Sequence, residues 1–140
     1  MSESNTLAAK LELMIQKAAR SLAAARRLIA AGDYDFASSR AYYAAFYVMQ
    51  AALLTKNLTP AKHAGAIRAF SQHFIKTGIF PVEFNQSISR LFRNRQTGDY
   101  TLGLSISEEK ARHDVQMAEK IFQAIVEHLI QEGFLPEDQN

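Results

Sequence analysis

Apolar residues return every three or four positions along most of the chain, which is the period of one face of an amphipathic helix. The first such series reads Leu7, Leu11, Met14 or Ile15, Ala18, Leu22, Ala25 and Ile29. We predict that this helix ends near Gly32, because glycine favours the left-handed conformation that closes many helices. Asp33 is then the predicted N-cap of a second, alanine-rich helix that runs to about Lys56.

The second half of the chain repeats this period in three further segments. A third helix places His63, Ile67, Phe70 and Phe74 on one face, a fourth carries Phe84, Ile88 and Leu91, and a last one runs from Ser105 or Ser107 to Leu129. Between residues 96 and 106 the period disappears, and glycines stand at positions 98 and 103. We predict a loop over these 11 residues, longer than the roughly 2 to 8 residues that usually join the helices of a bundle.

Five amphipathic segments without a convincing strand predict an all-α protein, an antiparallel up-and-down bundle of four to five helices. Residues 1–132 are expected to form a single domain. Residues 133–140, which contain Gly133 and Pro136, are expected to form a frayed tail.

Composition narrows the possible functions. The 140 residues include no cysteine, which excludes a disulfide scaffold, a thiolate metal site and a cysteine nucleophile, and fits the cytoplasm. No run of 18 apolar residues is present and residues 1–10 are polar, so we expect neither a membrane span nor secretion.

The formal net charge of +2 conceals an uneven distribution. Residues 1–95 carry 13 basic and 5 acidic side chains, a net +8, whereas residues 96–140 carry 3 basic and 9 acidic ones, a net −6. This asymmetry indicates either a surface for nucleic acid or two segments that neutralise each other when packed. We therefore expect any anion site to be local.

The common cofactor and metal motifs are absent. The chain has neither of the two glycine-rich nucleotide-binding loops, so no cofactor of that kind is expected. Its histidines, at positions 63, 73, 113 and 128, form no pair with the spacing of metal ligands, and we predict no metal site. His63 lies on an apolar stripe and is predicted to be packed and hydrogen-bonded, and the others to lie on helix surfaces.

The first segment with candidate chemistry is aromatic. Four of the six residues from Tyr42 to Tyr47 are aromatic, which covers more than one face of a helix. We predict that some of these rings meet a neighbouring helix or another protomer, with Arg40, Tyr42, Tyr43 and Tyr47 as the interface residues. Arg40 is either a solvated charge or an internal tether.

The second segment places Arg90, Arg93 and Arg95 where the fourth helix approaches the predicted loop. Three guanidinium groups so close together can bind a phosphate, because each offers paired donors to its oxygens. Arg90, Arg93 and Asn94 lie off the apolar stripe and are predicted to project away from the core. The alternative is a polar helix end whose arginines bind terminal carbonyls or pair with Asp99.

These segments together resemble the HEPN superfamily of small helical domains. The resemblance rests on Gly32–Ala37, Ser39–Tyr47, Lys62–Gly65 and Arg95–Tyr100, in that order along the chain. It implies a bundle of four or five helices that forms a homodimer. It also implies a partner, because many members are encoded beside a minimal nucleotidyltransferase as a toxin and antitoxin pair.

The ribonuclease members of this superfamily carry Arg-x-x-x-x-His and cut RNA without a metal. Arg93, Asn94 and Tyr100 fall in register with that motif and are the catalytic residues that the resemblance implies. Gly98 occupies the position of the histidine, so the proton carrier is missing. General acid–base groups contribute about a hundred- to ten-thousandfold in rate, and a carboxylate such as the adjacent Asp99 would be a weak substitute near neutrality.

The leading hypothesis is therefore a non-catalytic or weakly catalytic HEPN subunit. It would dimerise, contact RNA or a nucleotide at Arg93, and act with a nucleotidyltransferase for which Tyr100 is a modification candidate. An active metal-independent ribonuclease and a pure nucleotide-binding or protein-interaction scaffold are the alternatives.

Overall fold

The computed structural model of the protein describes residues 3–100, 102–103 and 106–137. Its helices are α1 (Glu3–Ala30), α2 (Tyr34–Leu54), α3 (His63–Phe70), α4 (Glu83–Tyr100) and α5 (Glu108–Gln131), and a π-helical turn, Ser71–Ile75, continues α3. The described ranges contain no strand. The predicted all-α bundle is confirmed.

Helix α2 lies at the centre of the bundle and packs against the other four helices. Thirteen of its 21 residues are buried, so it is covered on nearly every side rather than along one stripe. Small residues such as Ala37, Ala41, Ala44 and Ala51 have no exposed surface and let the neighbouring helices approach closely. The alanine-rich composition of this segment thus serves packing as well as helix propensity.

Most of the predicted helix ends lie close to the helix ends in the structure. Gly32 has a φ of +83° and separates α1 from α2. Asp33 precedes α2 as predicted, but its side chain makes no capping hydrogen bond. Ser107 is the N-cap of α5, where its hydroxyl accepts a hydrogen bond from the backbone N–H of Lys110 at 3.2 Å.

The loop predicted from residue 96 is wrong for its first five residues, because α4 continues to Tyr100. Arg95 and Asp99, one turn apart, form an ion pair at 3.0 Å within this stretch. Gly98 is buried where α4 crosses the beginning of α2. Tertiary packing therefore overrides the low helix propensity of a glycine and the lack of an apolar period.

The segment after α5 is partly packed. The backbone N–H of Phe134 donates to the carbonyl oxygen of Leu129 at 2.8 Å, and Phe134 and Leu135 rest half-buried against the core. Residues 138–140, part of the predicted tail, lie outside the described residues.

No helix in the described part of the chain combines the length and apolar character that crossing a membrane requires.

The α2–α4 crossing allows a sharp stability test. A Cβ added at Gly98 would lie 2.9 Å from the backbone oxygen of Asp35, whereas a Cβ at Gly65 in α3 would meet only the Cβ of Pro60 at 3.6 Å. Alanine gains about 1 kcal/mol over glycine in a helix, and overpacking costs about 1–3 kcal/mol. In urea titrations we expect Gly65→Ala to be neutral or stabilising and Gly98→Ala to be less stable than Gly65→Ala by about 1–3 kcal/mol. Equal unfolding free energies for the two variants would contradict the close crossing.

Candidate functional site

The exposed face of α4 carries two of the residues that the motif singles out. Arg93 is exposed, and its side chain forms no hydrogen bond or ion pair within the described residues. Tyr100 lies two turns further along the helix and is 75% exposed. Residues seven apart share a helix face, so both side chains are accessible to a ligand or a partner from the same side.

Asn94 points inward, contrary to the prediction that it projects away from the core. Its side-chain Nδ2 donates to both carboxylate oxygens of Asp114 on α5, at 3.1 and 3.0 Å. The hydroxyl of Ser38 on α2 donates to the same carboxylate at 2.6 Å. Asp114 thus connects three helices through one buried group.

Asp114 was not among the sequence candidates, although a signal for it exists. It lies three residues after Ala111 and four before Ala118, where the helical period requires an apolar residue. The side chain is 0% exposed. Burial raises the pKa of Asp114, and the donors from Ser38 and Asn94 and the charge of Arg90 act against that rise.

Arg90 lies beside this carboxylate and also lines an open groove between α4 and α5. Its Nε is 4.0 Å from Oδ1 of Asp114, the outer limit of an ion pair. The groove has a volume of about 560 Å³ and is lined by Arg90, Ser107, Glu109, Lys110, Arg112, His113 and Gln116. Basic side chains therefore outnumber the one carboxylate among the residues that line it.

Arg112 is held at the groove by its neighbours. Its Nε donates to Oε2 of Glu108 at 2.8 Å, and the hydroxyl of Tyr34 donates to Oε1 of the same carboxylate at 3.0 Å. The hydrogen bond from Arg112 is the main reason that the pKa of Glu108 is lowered. The carboxylate stays ionised and keeps the guanidinium group in place.

Arg95 points into the protein, where its side chain already has partners, and its contact with a phosphate stays a prediction. Its Nη2 donates to the hydroxyl of Tyr43 at 2.7 Å, its guanidinium group lies over the rings of Tyr42 and Tyr43, and its Nε is 3.0 Å from Asp99. The pairing with Asp99 is the one that the alternative interpretation foresaw.

Tyr42 is also internal, which corrects its assignment to an interface. It is 2% exposed and shares a hydrogen bond of 2.8 Å with Nδ1 of His63. The His63 ring stacks on Phe46 with centroids 4.1 Å apart. Burial and then the charge of Arg95 lower the pKa of His63, and the prediction of a packed, hydrogen-bonded histidine is confirmed.

The other three predicted interface residues are half-buried and accessible in part. Arg40 lies over the ring of Tyr43 at 4.8 Å, and Lys17 lies over the ring of Tyr47 at 4.7 Å. Arg40 thus contacts a ring on its own helix. Contact of these residues with another protomer remains a prediction.

The other histidines differ from one another. His113 is exposed, as predicted, and lines the groove. His128 is half-buried with its ring edge-on to Phe74 and Phe80, so its assignment to an ordinary helix surface is wrong. Across residues 3–100, 102–103 and 106–137, no group of three or more histidine, cysteine, aspartate or glutamate side chains could hold a metal ion.

The position of the motif histidine is closed. Gly98 is buried, and even a Cβ there would lie 2.9 Å from the backbone oxygen of Asp35. An imidazole at this position would require α2 and α4 to separate. The arrangement thus leaves Arg93 exposed on α4 and leaves no space for an imidazole at position 98.

Comparisons with known proteins agree with this fold. The family model described as the HEPN domain matches residues 11–129. A crystal structure of a protein from Thermus thermophilus, TT1696, superimposes with a TM-score of 0.71 at 17% identity, covering 84% of this chain and 97% of that one, which shows the shared fold.

Two relatives are similar in sequence over most of their length. A Methanocaldococcus jannaschii protein named "Putative toxin MJ0142" is 37% identical over 126 residues, which is 90% of this chain and 86% of that protein. A "UPF0332 protein" from Thermotoga maritima is 40% identical over 96 residues, 69% of this chain and 72% of that protein.

The molecule is an all-α bundle with an exposed arginine, Arg93, on α4. The family match covers most of the chain, which therefore belongs to the HEPN family, with relatives named as toxins.

The Asp114 network gives a prediction about pH. Because the pKa of Asp114 is raised on folding, its contribution to stability is greatest at low pH and is lost as pH rises from the ordinary value of 3.8 through the raised pKa. Asp114→Asn removes this titration. The substitution also leaves the donors of Ser38 and Asn94 with one oxygen acceptor instead of two, which lowers the free energy of unfolding by about 1–3 kcal/mol. In urea titrations the advantage of the wild type over Asp114→Asn should be larger near the ordinary carboxyl pKa than near neutrality. An advantage that grows with pH would contradict the raised pKa.

Proposed function

We propose that this chain is a toxin-like HEPN subunit that contacts phosphate groups of RNA or of a nucleotide at Arg93 without cleaving RNA itself. In this proposal it forms a homodimer and acts with a minimal nucleotidyltransferase in a toxin and antitoxin module. The names of the relatives support the toxin-like part. The observation that carries the non-catalytic part is the buried Gly98, whose position leaves no space for the motif histidine.

Arg93 is the phosphate contact in this proposal. Its guanidinium group is exposed, whereas that of Arg95 is engaged with Tyr43 and Asp99. A free guanidinium group keeps its full set of donors for a phosphate. Asn94 serves a different purpose, because its amide is committed to Asp114 and positions α4 instead of meeting a substrate.

Tyr100 is the proposed site of modification by the partner. Its ring is 75% exposed and lies on the same helix face as Arg93, so an enzyme that bound this face could reach the hydroxyl. Modification with a nucleotide would add a negatively charged group to the face that carries Arg93. Such a charge would compete with a phosphate ligand for the arginine, which gives the partner a means of neutralising the toxin.

The cleavage experiment separates this proposal from an active ribonuclease. Purified wild-type protein incubated with structured RNA in EDTA should leave the RNA intact, because the group that contributes about a hundred- to ten-thousandfold in rate is absent. RNA length is followed on denaturing gels. Cleavage by the wild type that Arg93→Ala abolishes and Arg20→Ala preserves would overturn the non-catalytic proposal. Arg20 is a matched control because it is an exposed arginine on α1, which packs against α2 and α5.

The partner experiment tests the toxin and antitoxin part. Expression of the chain alone should slow growth, and Arg93→Ala but not Arg20→Ala should relieve the effect. Co-expression with the nucleotidyltransferase encoded beside it should restore growth and add nucleotide mass to Tyr100, which Tyr100→Phe should prevent. Light scattering of the purified chain should give twice the monomer mass of 15.7 kDa. Normal growth at equal expression would contradict toxicity, and a monomer at micromolar concentration would contradict the dimer.

A further inference from the structure

We infer that the groove between α4 and α5 is a second phosphate site, and that with Arg93 it binds the sugar–phosphate backbone of RNA rather than a single nucleotide. The inference rests on the proposed function, which places a phosphate contact at Arg93 and leaves the class of ligand open. It adds residues of α5 that the motif does not contain.

The groove brings together cations from two helices, two of which also face carboxylates, Arg112 facing Glu108 and Arg90 facing Asp114. Arg90 comes from α4, and Lys110, Arg112 and His113 come from the first turns of α5, with Glu109 as the one carboxylate among the lining residues. The ammonium group of Lys110 and the ring of His113 form no hydrogen bond or ion pair within the described residues. Their donors are thus available to an anion.

One of the two guanidinium groups, that of Arg112, is hydrogen-bonded before any ligand arrives. Arg112 is held by Glu108 at 2.8 Å, and Glu108 is itself held by Tyr34. Arg90 lies 4.0 Å from the buried carboxylate of Asp114. Because the Arg112 side chain is already restrained, its engagement costs less conformational entropy than that of a free surface arginine.

The number and placement of the cations favour a polyanion. Arg93 follows Arg90 by three residues, about 4.5 Å along the helix axis, so the two belong to neighbouring positions on α4. The cations then run from Arg93 through Arg90 to Lys110 and Arg112 across the groove. One phosphate monoester needs only one or two such groups, whereas a chain of phosphates can use them all.

The cationic surface is limited to the groove and Arg93 and does not extend over the whole molecule, which agrees with the charge distribution along the chain. Arg112 and Lys110 belong to the segment of residues 96–140 with a net charge of −6, yet they are placed beside the last arginines of the basic segment. The remaining acidic residues of α5, such as Glu119 and Glu127, lie outside the groove lining.

Salt-dependent RNA binding tests this inference. A short single-stranded RNA with a fluorescent label is titrated with the wild type and with variants between about 50 and 200 mM salt. Removing one phosphate-binding cation should reduce the slope of log K, where K is the association constant, against log salt concentration by about 0.7. The double variant Lys110→Ala/Arg112→Ala should reduce that slope by about 1.4 and weaken binding at least about tenfold at the lower salt. The double variant Arg20→Ala/Lys120→Ala removes the same charge from outside the groove and should bind within about twofold of the wild type.

A single substitution separates an effect on RNA binding from an effect on the stability of the fold. Arg112→Ala also breaks the pair with Glu108, whereas Lys110→Glu removes no partner and should weaken RNA binding while the thermal midpoint stays unchanged. If Arg93→Ala weakens RNA binding and the groove variants behave like the Arg20→Ala/Lys120→Ala control, this inference fails and the proposed function stands. Absence of RNA binding by the wild type also overturns the inference, and the growth experiment then decides the proposed function independently.

Discussion

The buried carboxylate of Asp114 holds together the three helices that carry the candidate site. It accepts hydrogen bonds from Ser38 on α2 and from Asn94 on α4, and it lies beside the guanidinium group of Arg90. A buried carboxylate is costly unless its oxygens are hydrogen-bonded, so this one specifies a particular register among the helices. The exposed face of α4 and the groove beside α5 both depend on that register.

The departure from the ribonuclease motif is a change in packing as well as in chemistry. With glycine at position 98, α4 approaches the backbone of α2 so closely that a Cβ would lie 2.9 Å from the oxygen of Asp35. A histidine at this position would require the two helices to lie further apart. The absence of a side chain at position 98 thus accompanies a close helix crossing, and Arg93 stays exposed on another face of α4.

Arginines that look equivalent in the sequence have different surroundings in the structure. Arg93 faces solvent, Arg90 lies between a buried carboxylate and a groove, and Arg95 is enclosed by Tyr43 and Asp99. Arg90 and Arg93, three residues apart, lie at neighbouring positions of one helix face, whereas Arg95, two residues after Arg93, points to another side. The three arginines of the segment thus occupy an exposed position, a groove wall and the edge of the aromatic cluster.

The sequence by itself determined the fold class, most helix ends and the motif segment, because these follow from local periods, from Gly32 and Ser107 at helix ends, and from residue order. It failed for residues 96–100, where contact with α2 extends α4 through a glycine, and for the inward direction of Asn94 and Tyr42. Only the tertiary structure decided which charges meet, since Asp114, Lys110 and Arg112 are separated from Arg90 by about 20 residues or more of chain. Helical periodicity reports which side of a helix is buried, whereas the partner across that side is chosen by how the helices pack.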